Sequence, residues 1–598
     1  MDMQWTTTEY GNLYRAGDFL STENKKTLGL LIPVEVYVQD PLVTEQRKEK
    51  EQEALNTIYV GNEPELMDGP TSARIAVVDY DADAHKLEKP AHWDFKNRRF
   101  TFDYKGKEPI TWAERAKPQF HQVNVWAIIQ SVLDIYEATW VLGRSAPWAF
   151  EGNRLIVVPH AGYLANAFYD RRGKSIQFYY FGTEEKRVYT CLSHDIIAHE
   201  TGHAILDGLR PGYNEDSSLQ TTAFHEFVAD LTAIMTSLLN NELRWAAAQQ
   251  SGGDLSQDTI VSSLAEEFGQ YATGRPYLRS AQNKKTIQEV KDSRSPYDWS
   301  EVLTGTMFDI LTGMLVKYRQ KPLDNTGKPP SLKQAMNWAV NRFRRTALQP
   351  LDYLPPVDVQ FSDYAQAVLR ADEVVDPVDE DGYRPLMREC FTKRGIKCPV
   401  EGKEQDRAHF YAYDIERVAR SRTDAYHFLN ENRRQLCIPA EQDIAVVDLY
   451  QTDKTVMGGH KLPREVVLQY AWREDVELKG SGLGSLAGTT ASLLCGGTIV
   501  FDDRGNVQSW IRKPGVGKQE PDRRRRRRYC DDERARGDER RKELGKHIKS
   551  RVDQGLVGLA ERDRPEEIDA RPPVVATRRE DGTVRLEVTP HLRHWTEE

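Results

Sequence analysis

Two short phrases constrain this chain more than anything else in it: His199-Glu200-Thr201-Gly202-His203 and, at residues 225–230, His225-Glu226-Phe227-Val228-Ala229-Asp230. On an α-helix, residues i and i+4 lie one above the other, so His199 and His203 can present imidazole nitrogens to one ion while Glu200 stands beside it. The pair reads as a zinc site. A catalytic zinc takes three protein ligands and a water, and a carboxylate from a following helix is the usual third ligand after such a pair. Glu226 is the candidate. It begins a second segment of helical apolar spacing (Phe227, Val228, Leu231, Ile234, Met235, Leu238). Asp230, four residues on, falls on the same face and can hold a ligand imidazole by its other nitrogen. A chance His-Glu-x-x-His match would end as a solvated helix face, but chance does not supply the second phrase.

The two phrases together resemble those of the thermolysin-like zinc metallopeptidases. The resemblance implies His199, His203 and Glu226 as zinc ligands, Asp230 as the partner that orients His199, and Glu200 as the general base toward water. Upstream, Asn166-Ala167-Phe168-Tyr169 resembles the edge-strand phrase that pairs with substrate backbone in that family, which implies Asn166 and Ala167 as substrate contacts. Downstream, Leu278-Arg279-Ser280 resembles the phrase whose Arg grips the carbonyl on the leaving side of the scissile bond. Ser300-Glu301-Val302-Leu303-Thr304-Gly305 resembles the stretch just after the family's transition-state histidine. Three residues ahead of Ser300, where that histidine belongs, stands Tyr297. A phenol can also donate to an oxyanion, and Tyr213 is a second candidate donor. Asp195 fits a calcium-ligand position, but Ser237 occupies the place of the matching acidic ligand, so calcium is not expected.

The resemblance implies peptide-bond hydrolysis with one catalytic Zn2+. Two other readings compete. A zinc-bearing binding or scaffold protein without turnover is favoured by Tyr297 in place of histidine and opposed by the intact Glu200. An aminopeptidase-like relative would need an acidic anchor for the substrate amine upstream of the zinc helix, and no Gly-x-Met-Glu-Asn phrase occurs.

At 598 residues the chain has material for roughly three to five domains. With 39% hydrophobic and 29% charged residues it reads as a polar globular protein, and a net charge of −9 over this length says little about partners. There is no run of eighteen consecutive apolar residues and no signal-peptide pattern in the first 22, which points to the cytoplasm and away from a membrane. Six scattered cysteines are read as free thiols.

The expected fold class is α+β: a thermolysin-like catalytic core, made of an α/β lobe and a mainly helical lobe with zinc between them, followed by a C-terminal β-rich domain. Residues 1–108 form an N-terminal β-containing region, with strand-like runs at 28–37, 73–80 and 100–104 and an exposed helical turn at 45–53. Residues 109–238 form the α/β zinc-binding lobe, with a helix over 123–136 and strands at 154–159 and 175–181. Its metal helix is expected to stop at Gly208, with Pro211 following. Residues 239–397 form the helical lobe, with helices at 243–250, 259–271, 302–318, 332–345, 364–370 and 383–392. His121 and His160 read as hydrogen-bonded or surface histidines rather than ligands. Beyond the resemblance lie a β-rich domain at 398–520, a charged linker or helix at 521–560 and a terminal strand segment at 561–598. Asp502-Asp503-Arg504-Gly505 has the chemistry of a hairpin turn. Arg523 to Arg528 could meet nucleic acid or an acidic partner, but the intermixed acids beyond it make a solvated linker or mobile helix the more ordinary reading.

Overall fold

The computed structural model describes residues 22–44, 57–105, 108–255, 259–322, 327–399, 413–516, 528–559 and 573–589, interrupted at 64, 112, 114, 260, 266–268, 274–276, 278, 457–459, 480–481 and 580–581. The helical turn expected at 45–53 and the arginines at 523–527 lie outside the described residues.

Helix α1 (Pro118–Glu137) is the post of the first half. Proline at its first position removes an N–H that would have had no partner, and apolar residues cover every side of it: Val123, Trp126, Ile129 and Val132 are all buried. Two of its buried polar side chains, Asn124 and Gln122, are held by backbone groups and a carboxylate of neighbouring segments, as burial demands. Asn124 donates to the Cys191 carbonyl at 2.9 Å and accepts the Tyr37 N–H at 2.8 Å. Gln122 donates to Asp79 at 2.8 Å and accepts the Ala91 N–H at 2.8 Å.

Beside α1, β1 (Leu31–Glu35) and β2 (Thr57–Gly61) pair antiparallel. A four-stranded sheet follows, from β3 (Ile75–Val77), β4 (Leu155–Val158), β5 (Ala167–Asp170) and β6 (Ser175–Phe178), in the order β3-β4-β6-β5. β3, β4 and β6 run parallel, and β5 lies antiparallel at the edge. Then come α2 (His194–Leu209) and α3 (Leu219–Leu239), each opened by a serine whose hydroxyl accepts a first-turn N–H: Ser193 from Ile196 and Ser218 from Thr221.

α2 runs one residue past Gly208. Gly208 is there for space: a Cβ on it would fall 1.7 Å from the Pro147 carbonyl oxygen. The helix ends at Arg210, whose buried guanidinium bonds the Leu209 and Leu351 carbonyls.

Helices α4 (Asn241–Gln250), α5 (Pro296–Gln320), α6 (Leu332–Leu348), α7 (Phe361–Val375) and α8 (Tyr383–Lys393) complete this half. The helix expected over 259–271 does not form at 261–265, and within that range only 269–271, the start of a single π-helical turn (Gly269–Thr273), are helical among the described residues. Instead β7 (Ser263–Leu264) pairs antiparallel with β8 (Arg279–Ser280), and Ala265, at φ 52°, turns the chain by a left-handed step. Ala265 donates its N–H to Asp195 at 3.3 Å. Pairing across fifteen residues has overridden a helical apolar spacing.

Seven strands make the sheet of the C-terminal part: β9 (Ala445–Thr452), β10 (Glu465–Glu477), β11 (Thr490–Phe501), β12 (Val507–Lys513), β13 (Val557–Leu559), β14 (Val574–Arg578) and β15 (Thr583–Val588). The expected turn joins β11 to β12, with Gly505 at φ 82° and its N–H on the Asp502 carbonyl. Val467, Val500 and Ile511 share one core with the first 396 residues, while Leu468, Ile499 and Phe501 belong to a second core. Alternate residues of one strand therefore feed two cores.

The charged block is no solvated linker where it is described. It forms α9 (Arg528–Asp553), with Arg540, Leu544, Ile548 and Arg551 buried. Arg540 bonds Asp358 at 2.9 Å and Arg551 bonds Asp216 at 2.9 Å. Burial alone would raise the Asp216 carboxyl, but Arg551 and His547 hold it well below the usual range. Asp216 lies between α2 and α3, so the C-terminal part is tied by ion pairs to the segment joining them. The architecture is mixed α+β, and no helix of the described residues is long and apolar enough to cross a membrane.

Candidate metal centre

The site forms where α2 meets α3. Gly202 makes the meeting close: a Cβ there would lie 2.7 Å from Thr232 Oγ1 and 2.9 Å from the Ala229 Cα. Thr232 cannot easily give way, because its hydroxyl is bonded both to Tyr136 Oη at 2.7 Å and to the Val228 carbonyl at 2.6 Å. In an open helix, alanine would be favoured over glycine by about 1 kcal/mol. Here overpacking costs about 1–3 kcal/mol, so Gly202→Ala is expected to lower the denaturant midpoint of unfolding, opposite in sign to its helix propensity. An unchanged or raised midpoint would show that the two helices have room to spare.

At this crossing the three sequence candidates converge. The Nε2 atoms of His199 and His203 are 3.2 Å apart, His199 Nε2 lies 3.6 Å from Glu226 Oε2, and His203 Nε2 lies 3.5 Å from Glu226 Oε1. Ligand nitrogens and oxygens about 2.0–2.2 Å from a tetrahedral zinc stand about 3.3–3.5 Å apart, and all three separations are close to that, the two to Glu226 ending on its different oxygens. His203 and Glu226 are fully buried and His199 is 7% exposed. Glu226 Oε1 accepts no hydrogen bond from the described residues, although a buried carboxylate oxygen ordinarily has a partner. The three residues form a group that could hold a metal ion.

The surroundings are charged to match. Asp230 Oδ1 lies 3.0 Å from His199 Nδ1 and fixes that ring by its far side. Burial and the neighbouring Arg279 work against protonation of His199, but Asp230 and Glu226 outweigh them and raise it to about 9. The attraction that holds a proton there is available to a divalent cation.

Glu200, on the same helix and 1% exposed, accepts the Tyr169 N–H at 2.9 Å through Oε2. Tyr169 belongs to edge strand β5, so the carboxylate is tethered to the strand expected to meet a substrate. This contact was not legible in the sequence. The N–H groups of Ala167 and Tyr169 both turn away from β6, the former to the Asn166 side chain at 2.8 Å. Tyr169 Oη in turn donates to Asp207, which also pairs with Arg171.

Arg279 arrives on β8 rather than on a helix. Instead of reaching outward for a carbonyl, its guanidinium lies 3.3 Å from Glu226 Oε2, 3.2 Å from Asp230 Oδ1 and 3.4 Å from His199. Tyr297, in the first turn of α5, lays its ring against that guanidinium, 5.0 Å from centroid to charge centre. Burial first, then the Glu226 carboxylate, hold its hydroxyl well above the usual phenol range, so it stays a neutral donor.

Tyr213 is a correction. Its hydroxyl donates to the Pro355 carbonyl at 2.7 Å in a fully buried position, which makes it a packing residue with its hydrogen already committed. Asp195, where no calcium was expected, accepts from Ser237 Oγ and from the Ala265 N–H, both at 3.3 Å.

No family model and no curated protein matches the chain. Among solved structures it is similar to the precursor of protealysin, a metalloproteinase from Serratia proteamaculans, at 12% identity and a TM-score of 0.34, over 60% of this chain and 98% of that one. A likeness of that size decides neither family nor chemistry.

Proposed function

We propose that this chain is a zinc-dependent peptidase of the thermolysin-like kind, with His199, His203 and Glu226 as the metal ligands. The observation that supports this most directly is the buried triangle of ligand atoms with Glu200 beside it, tethered to an edge strand. Bound there, zinc would supply Lewis-acid polarisation of a peptide carbonyl and lower the pKa of water. The chain's own groups do the rest. Glu200 takes the proton of the attacking water and passes it to the leaving amine. Asp230 keeps the His199 ring in its ligating orientation. The outward edge of β5, with Asn166 and Ala167, aligns an extended peptide by backbone hydrogen bonds. Arg279 sets the charge and position of Glu226 and Asp230 and supports Tyr297.

The test is peptide cleavage followed through metal removal. A peptide mixture incubated with the full chain should be cut, chelation should stop the cutting, and added zinc should restore it. Cleavage that survives complete chelation, or a zinc-loaded chain that cuts nothing, sinks the reading.

Tyr297 is the proposed oxyanion donor in place of the family's histidine. Tyr297→Phe removes one preorganised hydrogen bond and should lower kcat by about a hundredfold with zinc content unchanged. A change below about threefold, worth well under 1 kcal/mol of barrier, would return Tyr297 to packing and leave a water as the donor.

A further inference from the structure

Among the described residues, a second group of ligand-type side chains is separate from the site just described. His121 sits in the first turn of α1, His160 two residues beyond β4, and Cys191 in the single turn Thr190–Leu192 that leads into α2. All three are buried, at 3%, 6% and 0% exposure.

The hydrogen bonds of the two rings determine where their protons are. His121 Nε2 lies 3.0 Å from the Arg115 carbonyl oxygen, which can only accept, so Nε2 carries a hydrogen. His160 Nδ1 lies 2.7 Å from Asp79 Oδ1, so that nitrogen carries one as well. Asp79 is itself buried and held by Gln122. In the neutral rings this leaves lone pairs on His121 Nδ1 and His160 Nε2, and those two atoms face each other at 2.8 Å. Two acceptors at that distance repel unless a cation stands between or beside them.

The third group completes a triangle. Cys191 Sγ lies 3.7 Å from His121 Nδ1 and 4.0 Å from His160 Nε2. In a tetrahedral zinc site with Zn–N about 2.0–2.1 Å and Zn–S about 2.3 Å, nitrogens stand about 3.3 Å apart and sulfur about 3.6 Å from each nitrogen. The nitrogen–nitrogen edge, at 2.8 Å, is shorter than that value and the sulfur edges, at 3.7 and 4.0 Å, are longer, and small ring rotations that part the nitrogens reach them. Each imidazole is already anchored through its far N–H to a carboxylate or a backbone carbonyl, the arrangement that orients metal-bound histidines. The Tyr189 ring closes one side, edge-on to both imidazoles at 5.0 and 5.5 Å.

We infer that His121, His160 and Cys191 form a second metal site, taking a thiophilic transition-metal ion such as Zn2+ with Cys191 as thiolate. Charge supports it: one thiolate and the Asp79 carboxylate together balance a divalent ion in a buried pocket. On binding, the thiol proton leaves to solvent and a sulfur–metal bond replaces the S–H bond. The ion would join α1, the four-stranded sheet and the turn that starts the helix of His199, so its role is to hold that helix in place. The inference does not depend on the peptidase reading.

The experiment is cobalt titration of the full chain, stripped of metal under reducing conditions. Cobalt bound to a thiolate shows a sulfur-to-metal charge-transfer band in the near ultraviolet, and the group of His199, His203 and Glu226 contains no sulfur. The band should grow to about one equivalent of cobalt, within a total of about two equivalents bound. Cys191→Ser should abolish the band and lower bound cobalt by about one equivalent, whereas His203→Ala should keep the band. Absence of the band in the wild-type chain, which needs no variant to fold, overturns the inference and leaves the first site untouched. So does a band that persists in Cys191→Ser.

Discussion

Glu200→Gln should leave metal content and fold unchanged and lower peptide cleavage by about two to four orders of magnitude, the range over which a positioned general base acts. The structure makes this a clean substitution. The amide matches the carboxylate in shape, and its oxygen can still accept the Tyr169 N–H that Glu200 Oε2 accepts at 2.9 Å. Only basicity is lost. Metal analysis and steady-state kinetics on one peptide decide the matter, and equal turnover by wild type and variant would remove Glu200 from the mechanism.

His203→Ala should abolish retention of the ion in the first site. His203 is fully buried, and its Nε2 stands 3.2 Å from that of His199 and 3.5 Å from Glu226 Oε1. Losing a residue that merely orients a ligand weakens metal binding about 10–100-fold, so losing the ligand itself should weaken it by more than a hundredfold. The variant also leaves Glu226 buried with fewer partners, which costs stability as well. Circular dichroism would establish that the fold survives, and metal analysis would read the loss. Retention of the full wild-type metal content per folded chain would mean that the ligand assignment is wrong.

Part of this was legible in the sequence because it is local. The stacking of His199 over His203, the pairing of Glu226 with Asp230 on one face, and the turn at Asp502-Asp503-Arg504-Gly505 follow from backbone geometry over four or five residues. Strand β15 and the long helices α1 and α5 likewise follow from apolar spacing over short windows. Such patterns hold wherever the element forms.

What tertiary structure alone decided is what depends on residues far apart in the chain. Arg279 points at Glu226 across 53 residues, and Tyr213 donates its hydroxyl hydrogen to the Pro355 carbonyl across 142. Gly208 is a spacer against Pro147, not a helix stop, because only packing brings that carbonyl near. α9 turns Arg540 and Arg551 inward because buried Asp358 and Asp216 wait there, whereas its composition alone describes a solvated segment. His121, His160 and Cys191 show no mutual spacing along the chain, and each alone reads as an ordinary buried or surface residue. Their convergence exists only because α1, the sheet and the turn before α2 pack together. Local geometry specifies which side chains share a face; the close packing of faces, at separations no periodicity records, specifies what those side chains meet.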